Sequence, residues 1–238
     1  MFDKFRSGVP GRREFKYLID SASVAIIKSR LSSVLDYDSH YSNGKYFIRS
    51  VYFDDLNDTA YNEKMSGIND RRKIRARFYN FDKNFIVLEK KVKSGDLVQK
   101  HSARISDRIV TELLNNDLID SQTLAIPGFE ELYYEIMADG CKPVVIVDYD
   151  RTAWQIEALN VRITVDENIR ASESVLEFFN KDLSTFPVMS DYAVLEVKYD
   201  DYFPDFIVPL LSDLINTHLS VSKYILCRDS VYGFKNRI

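Results

Sequence analysis

The chain has 238 residues, of which 45% are hydrophobic and 29% are charged, and its formal net charge is −4. This composition is typical of a globular protein with ample material for a core, and the near balance of charge argues against binding nucleic acid over the whole surface. Two cysteines far apart in sequence and three histidines without ligand spacing argue against a disulfide framework and a structural zinc site. Any cationic function must therefore be local.

The sequence carries no signal for export or for crossing a membrane. The N-terminus lacks the apolar region of a signal peptide, and no apolar run approaches the roughly 18–20 residues of a membrane-crossing helix. We therefore expect a cytoplasmic protein with reduced thiols, and peripheral docking on a membrane through a separate partner stays open.

Eight segments rich in Val, Ile, Tyr and Phe alternate polar and apolar residues, which predicts β-strands. In chain order they lie at 12–19, 46–55, 71–79, 84–93, 98–106, 142–154, 160–169 and 192–200. Apolar spacing near 3.6 residues predicts helices between them. These helices lie at about 21–35, 106–114, 128–140, 172–179 and 204–219. With no repeat or obvious linker, this pattern predicts one α+β domain over residues 1–238.

The third predicted strand, KIRARFY at 73–79, places three cations on one face. Lys73, Arg75 and Arg77 share that face because successive side chains alternate, and apolar residues occupy the other. For one strand, a solvated charged face is the ordinary explanation. Faces rich in Lys and Arg recur along the other strands, although the whole chain is acidic. We therefore predict a closed antiparallel eight-stranded barrel with a polar lumen inside and helices packed outside.

A lumen lined by like charges is costly unless an anion occupies it, because buried like charges repel and lose hydration. A long polyanion is the natural occupant, since Arg forms two-pronged hydrogen bonds to phosphate oxygens and Lys offers a compact charge. Glu14, Glu89 and Glu196 lie among these cations. Each either pairs with a neighbouring cation or holds a hard divalent ion against the substrate phosphates, and Glu196 is our first choice for the metal role.

Nine segments, taken in this order, resemble the VTC (vacuolar transporter chaperone) domain, a polyphosphate polymerase. They are REFKY (13–17), RSVYFDD (49–55), YNEK (61–64), RRKIRARFY (71–79), VLEKKVK (87–93), DYDRTAW (148–154), VRITVD (161–166), LEVKYD (195–200) and SKY (222–224). That domain belongs to the triphosphate tunnel metalloenzyme superfamily, which includes CYTH-type adenylate cyclases, thiamine triphosphatases and RNA triphosphatases. The resemblance runs through nearly the whole chain.

The resemblance implies a basic tunnel that binds ATP with Mn²⁺ or Mg²⁺ and transfers the terminal phosphate of ATP onto inorganic polyphosphate. Its implied catalytic residues are Arg75, Arg77, Lys91, Arg151, Arg162 and Lys198. Its implied substrate-binding residues are Lys16, Lys64, Arg72, Lys93, Tyr149, Ser222 and Lys223, to which face position alone adds Arg104. Glu196 matches the family's metal-binding glutamate, and Glu14 and Glu89 are further metal candidates.

One departure bears on the reaction. Many tunnel enzymes begin with Glu-x-Glu-x-Lys, whereas residues 12–16 read RREFK, so one acid is missing. This favours the polymerase branch over two-metal hydrolases. Two alternatives stay open. One is a metal-dependent triphosphatase in which Glu14 or Glu89 orients water, and the other is a non-catalytic module for polyphosphate, nucleotides or inositol phosphates.

The expected partners are ATP and inorganic polyphosphate, with no nucleic acid. We expect the protein to lack the added regulatory and membrane segments that the eukaryotic polymerase subunits carry. We therefore expect that a separate membrane protein could act beside it.

Overall fold

The computed structural model describes residues 13–38, 44–95, 97–200, 202–215 and 221–235. The strands are β1 (Arg13–Asp20), β2 (Asp36–Tyr37), β3 (Lys45–Asp54), β4 (Arg71–Tyr79), β5 (Ile86–Ser94), β6 (Leu97–Ile105), β7 (Lys142–Ile156), β8 (Val161–Ser172), β9 (Phe186–Pro187) and β10 (Tyr192–Tyr199). The α-helices are α1 (Ser21–Ser32), α2 (Thr59–Met65), α3 (Asp107–Asn115), α4 (Ser121–Leu124), α5 (Phe129–Ala138), α6 (Val208–Leu211) and α7 (Lys223–Lys235). All eight predicted strands are present, and Arg12, with which the first was predicted to begin, lies outside the described residues.

The ten strands form one antiparallel sheet. Its main path runs β1-β10-β8-β7-β3-β4-β5-β6, while β2 pairs with β7 and β9 pairs with β8. Within the described residues, no backbone pairing joins the edge strands β1 and β6, so the sheet is an open, curled half-barrel. The prediction of a closed barrel is therefore wrong in this respect. Side chains bridge the gap instead, since the ammonium of Lys91 on β5 lies 2.5 Å from the carboxylate of Glu14 on β1.

Helices cover most of the outer face of the sheet, as predicted. On one half, Ala76 and Phe78 of β4 belong to a buried core with Val110 of α3 and Leu132 of α5. On the other half, α1 and α6 pack over β1, β8 and β10, where Trp154 is fully buried. Side chains alternate between the two faces along the strands, which places the charged residues of β1, β4, β5 and β10 inside the curl.

Three helices, α2, α4 and α7, were not predicted, and α7 lies on an unexpected face. Helix α7 packs against the inner face of the sheet, where Tyr224 and Cys227 share a core with Val147 of β7. Its Tyr224 ring stacks on Tyr52 of β3, with ring centroids 5.0 Å apart. The helix was missed because Tyr, Ile and Val at 224–232 also suit a strand, and α2 is too short to show a clear period. Helix α7 therefore occupies part of the predicted lumen.

Two predicted helices are much shorter than expected. The segment 172–179 forms only a 3₁₀ turn at Val175–Glu177. In the segment 204–219, a 3₁₀ turn at Asp205–Ile207 leads into the four residues of α6, and residues 216–219 lie outside the described part. Proline lies in the first turn of α6, where its missing N–H is tolerated, so the α-helix begins there rather than at 204.

A buried ion pair ties a loop to the outer face. Arg49 donates from Nε and Nη2 to the two carboxylate oxygens of Asp148, each at 2.8 Å. Its Nη1 donates to the backbone carbonyls of Phe178 and Asn180. Both charged side chains are almost fully buried. Each of the three guanidinium nitrogens of Arg49 thus donates to an acceptor, which offsets the cost of burying the charge.

Removing the carboxylate of Asp148 should destabilise the fold strongly. We expect Asp148→Ala to lower the free energy of unfolding by about 3–5 kcal/mol, because the buried Arg49 then lacks its counter-ion. The matched control is Arg72→Ala, which removes a 44% exposed side chain from ion pairs on the same outer face. Its cost should stay below about 1 kcal/mol. Urea unfolding measures both, and equal free energies for the two variants would contradict this account.

Candidate functional site: a basic cavity on the inner face

The inner face of the curled sheet surrounds a cavity with about 1270 Å³ of space, including its open mouth. Among the described residues that line it, twelve are Lys or Arg and two are Glu. The cations are Arg13, Lys16, Lys64, Arg71, Lys73, Arg75, Arg77, Lys91, Lys93, Arg151, Lys198 and Lys223. Five strands and two helices supply them, so a chain of net charge −4 concentrates positive charge at this one place.

Most of the predicted site residues meet in this cavity. Those that line it are Glu14, Lys16, Lys64, Arg75, Arg77, Lys91, Lys93, Tyr149, Arg151, Glu196, Lys198, Ser222 and Lys223. The strand residues line the cavity because successive side chains alternate between the two faces of the sheet. Ser222 and Lys223 instead lie at the start of α7. The structure shows that these side chains lie around one cavity. Their roles in a reaction remain a proposal.

Arg72 and Arg104 lie elsewhere. Arg72 is one residue out of phase with the inward cations of β4, so it points to the outer face and binds Glu135 and Asp139 beside α5. Arg104 donates to the backbone carbonyl of Asn84 at 2.9 Å, outside the cavity lining. Neither position supports the predicted role in substrate binding.

Arg162 and Glu89 are also not part of the cavity lining. Arg162 has the inward phase on β8, but its guanidinium lies 2.5 Å from the carboxylate of Asp38 and donates to the Tyr46 hydroxyl at 2.9 Å. Glu89 is buried and accepts from Arg75 Nε at 2.8 Å. Its carboxylate thus serves as a counter-ion for Arg75 outside the cavity lining, and this position does not support its predicted role as a metal ligand.

Lys73 and Arg71 line the cavity but were missing from the predicted site sets. The signal was available, since both share the inward phase of Arg75 on β4. The Lys73 ammonium donates to the Ser222 hydroxyl at 2.7 Å and lies 5.1 Å from the Tyr224 ring centroid. Burial, followed by the charges of neighbouring cations, holds the pKa of Lys73 well below its usual value. An incoming anion would relieve this electrostatic cost.

Glu14 is a counter-ion for three lysines. Its carboxylate lies 2.8 Å from the ammonium of Lys16, 2.5 Å from that of Lys91 and 3.9 Å from that of Lys198. Burial and the neighbouring Glu196 carboxylate would raise the pKa of Glu14, but the three lysines outweigh them and lower it to about 2. Glu14 is therefore ionised at neutral pH.

Glu196 lies on the neighbouring strand in an alternating pattern of charge. The β1–β10 register pairs Lys16 with Glu196 and Glu14 with Lys198. The Glu196 carboxylate lies 3.4 Å from both of these ammonium groups and 3.5 Å from the guanidinium of Arg151. Burial alone would raise the pKa of Glu196, yet Lys198 and Lys16 hold it well below the usual range. Two ionised carboxylates thus stand side by side in the cavity.

Arg151 and Arg77 are fixed by different partners. Arg151 donates from Nε and Nη2 to the carboxylate of Asp166, at 2.6 and 2.8 Å. Arg77 instead donates to two neutral hydroxyls, those of Ser50 and Tyr149, each at 2.9 Å. Within the part of the chain that the structure describes, no carboxylate forms an ion pair with Arg77. Its positive charge is therefore available to a ligand without displacing a resident acid.

The carboxylates of Glu14 and Glu196 fit a hard divalent cation only in part. Among the described residues, no three His, Cys, Asp or Glu side chains group into a ready-made metal site. Mg²⁺, however, is often held by one or two carboxylates and completes its shell with water and substrate phosphates. Two adjacent ionised carboxylates on the cavity wall meet that description, so the donor set fits such an ion when a phosphate ligand is also bound.

This fold and site define a class of protein in which an antiparallel sheet curls round a cavity lined mainly by Lys and Arg. Within that class, residues 11–232 match the family model of the VTC domain, and the chain belongs to this family. The family predicted from the nine sequence segments is confirmed.

Known proteins resemble the chain in sequence and in fold. Subunit 4 of the vacuolar transporter chaperone complex from Schizosaccharomyces pombe is 25% identical over 214 residues. The match covers 72% of this chain but only 29% of that subunit. A structure from Hippeastrum, described as a candidate adenylyl cyclase with a dominant triphosphatase activity, has a TM-score of 0.57 at 15% identity and covers 92% of this chain and 96% of its own.

A second structure, described as a candidate adenylate cyclase from Bacillus halodurans, has a TM-score of 0.51 at 10% identity, with 89% of this chain and 95% of its own covered. At these identities the two structures show a shared fold. In the described residues, none of the helices combines the length and apolarity needed to cross a membrane.

The low pKa of Glu14 predicts how stability depends on pH. Because the folded pKa is about 2 and the usual value is 4.5, the stability that Glu14 contributes is present above pH 4.5 and is lost as pH falls towards 2. This loss amounts to about 3 kcal/mol. Glu14→Gln should be less stable at pH 7 and lose less stability between pH 5 and 3, as measured by urea unfolding. Glu131→Gln, at a 66% exposed side chain, is the control, and a Glu14→Gln curve parallel to wild type would contradict the prediction.

Proposed function

We propose that this protein is a metal-dependent polyphosphate polymerase that transfers the terminal phosphate of ATP onto a growing inorganic polyphosphate chain. The observation that carries the proposal is the cavity itself, in which twelve cations and two glutamates line a space on the inner face. Membership of the VTC family and the similarity to a subunit named for the vacuolar transporter chaperone complex support it.

The cations of β4, β5, β7 and β10 would hold the reacting phosphates. Arg75, Arg77 and Arg151 offer planar guanidinium groups whose paired N–H donors match phosphate oxygens. Lys91 and Lys198 add compact charges beside Glu14 and Glu196. Phosphoryl transfer needs mainly positioning and stabilisation of charge, which these side chains supply.

The remaining cations would bind the rest of a long anion. Lys16, Lys64, Lys93 and Lys223 line the same cavity, together with Ser222 and Tyr149. Lys73 joins them as an addition to the predicted set, because its ammonium points at the cavity beside Ser222. Such a row of charges suits a substrate with a repeating phosphate better than it suits one small anion.

Glu196 and Glu14 would hold Mn²⁺ or Mg²⁺. When bound, such an ion neutralises phosphate oxygens near the bond that breaks. Lys16 contacts both carboxylates and would orient them towards the ion. The acceptor is already an anionic phosphate, so the reaction needs no strong general base. Among the described residues that line the cavity there is no histidine, which suits this mechanism.

Hydrolysis is the second candidate function, and the fold shared with the Hippeastrum protein described as having triphosphatase activity favours it. A triphosphatase would need a carboxylate that orients water. Glu14 lines the cavity and Glu89 does not, so this role would fall to Glu14. The two reactions would therefore use the same cavity and differ in the acceptor.

The products of ATP turnover distinguish the candidates. The purified protein is incubated with ATP and Mn²⁺ or Mg²⁺, and the products are resolved by gel electrophoresis and phosphorus NMR. Long phosphate chains that disappear on chelation of the metal support the polymerase, whereas free orthophosphate supports the hydrolase. Tripolyphosphate binding without turnover would identify a non-catalytic binding module. Binding and turnover both absent would contradict the proposal.

Arg77 gives the cleanest test of a single cation. We expect Arg77→Gln to lower kcat/KM for ATP by about 100-fold, the usual cost of losing one donor to developing charge. The substitution strands no carboxylate, since Arg77 binds Ser50 and Tyr149. Arg72→Gln, on the outer face of the same strand, is the control and should keep wild-type activity. Steady-state kinetics measure both variants, and equal activities would remove Arg77 from the mechanism.

A further inference from the structure

Asp54 ends β3 in the RSVYFDD segment, and it has no place in the proposed reaction because it does not line the cavity. It is nevertheless a buried carboxylate, only 3% exposed. Oδ1 accepts from the backbone amides of Asp55 at 3.0 Å and Ala60 at 2.9 Å. Oδ2 accepts from the Tyr61 amide at 3.0 Å and from the Tyr224 hydroxyl. One side chain thus joins β3 to both α2 and α7.

Helix α2 depends on this carboxylate for its first turn. The helix has seven residues, which is too short for stability on its own. Its N-cap residue, Asp58, has a left-handed backbone with φ 51° and makes no capping hydrogen bond with its side chain. Asp54 therefore accepts from two of the amides that a cap would otherwise satisfy, and its charge suits the helix N-terminus. Lys64 lies in the last turn of α2 and lines the cavity.

Helix α7 is held by the same carboxylate through Tyr224. Burial, and then the hydrogen bond to Asp54, raise the pKa of Tyr224 far above its usual value, so the hydroxyl stays a donor. The ring of Tyr224 stacks on Tyr52 and receives the Lys73 ammonium on its face. The preceding residue, Lys223, reaches into the cavity wall.

We infer that Asp54 is a positioning residue, which sets Lys64, Lys73 and Lys223 in the cavity by fixing α2 and α7 to the end of β3. This inference rests on the proposed function, because it concerns the same cavity. Asp54 itself would not touch the substrate. Its effect is geometric, since small displacements of charged groups cost much in phosphoryl transfer.

A second tie between α2 and α7 makes the inference testable. The Tyr61 hydroxyl donates to Asp229, and Arg228 binds Asp58. These contacts lie nearer the surface, away from the cavity lining. Helix α7 should therefore stay docked when the Tyr224–Asp54 hydrogen bond is removed. We expect Tyr224→Phe to fold, with the cavity lysines held less firmly in position.

The experiment compares Tyr224→Phe and Asp54→Asn with Asp148→Asn. The control alters a carboxylate of similar burial, 2% exposed, on the outer face of the sheet. We measure tripolyphosphate affinity by calorimetry, kcat and KM for ATP, and amide exchange across 59–65 and 223–235. Tyr224→Phe should weaken tripolyphosphate binding about tenfold, because Lys73 and Lys223 would no longer be held in place against the ligand. Asp54→Asn should weaken it more, with faster exchange in both helices.

Asp148→Asn should lose stability yet bind tripolyphosphate within about twofold of wild type, since Asp148 pairs with Arg49 on the outer face, away from the cavity lining. The inference is overturned if Asp54→Asn and Tyr224→Phe bind as wild type, or if Asp148→Asn weakens binding equally. Wild-type protein that neither binds tripolyphosphate nor turns over ATP would instead defeat the proposed function. Amide exchange in α2 and α7 would then decide the role of Asp54, with unchanged exchange in Asp54→Asn overturning it.

Discussion

The structure depends on the constraint that many cations must share one enclosed space. Four carboxylates make this possible: Glu14, Glu89, Asp166 and Glu196 each contact at least two Lys or Arg side chains. Such pairing offsets the repulsion and lost hydration that the cations would otherwise suffer. The compensation is incomplete, because Lys73 and Arg77 have only neutral hydrogen-bond partners among the described residues. The cavity therefore folds as a stable site that still favours a further anion.

The same arrangement explains why Glu14 and Glu196, at one end of the β1–β10 ladder, behave as one electrostatic unit. Glu14 and Glu196 each share Lys16 and Lys198, so a change at one carboxylate alters the field at the other. A divalent ion held there would compete with the lysines for the same oxygens. Phosphate oxygens would in turn satisfy the lysines that the ion displaces. Metal and substrate binding would then favour each other, which links the two ligands of the proposed reaction.

Much of the fold followed from strand periodicity, because most strands of the main path have an apolar face under helices, and β1, β4, β5 and β10 carry charged residues on the face within the curl. That period also places Lys73 inward and Arg72 outward, so the position of Arg72 could have been corrected from the sequence. The position of Arg162 could not, because its partner Asp38 lies more than a hundred residues away. Closure of the barrel and the position of α7 on the inner face likewise depend on contacts between residues far apart in sequence. Local sequence patterns do not reveal such contacts.

The open seam between β1 and β6 has a mechanical consequence. In a fully closed barrel, widening the interior would break a row of backbone hydrogen bonds. Here, across the described residues, no such row joins β1 and β6, and the ion pair between Lys91 of β5 and Glu14 of β1 spans the seam. Widening the half-barrel along this seam would therefore break no row of backbone hydrogen bonds between β1 and β6, which leaves the interior room to adapt to the size of a bound ligand.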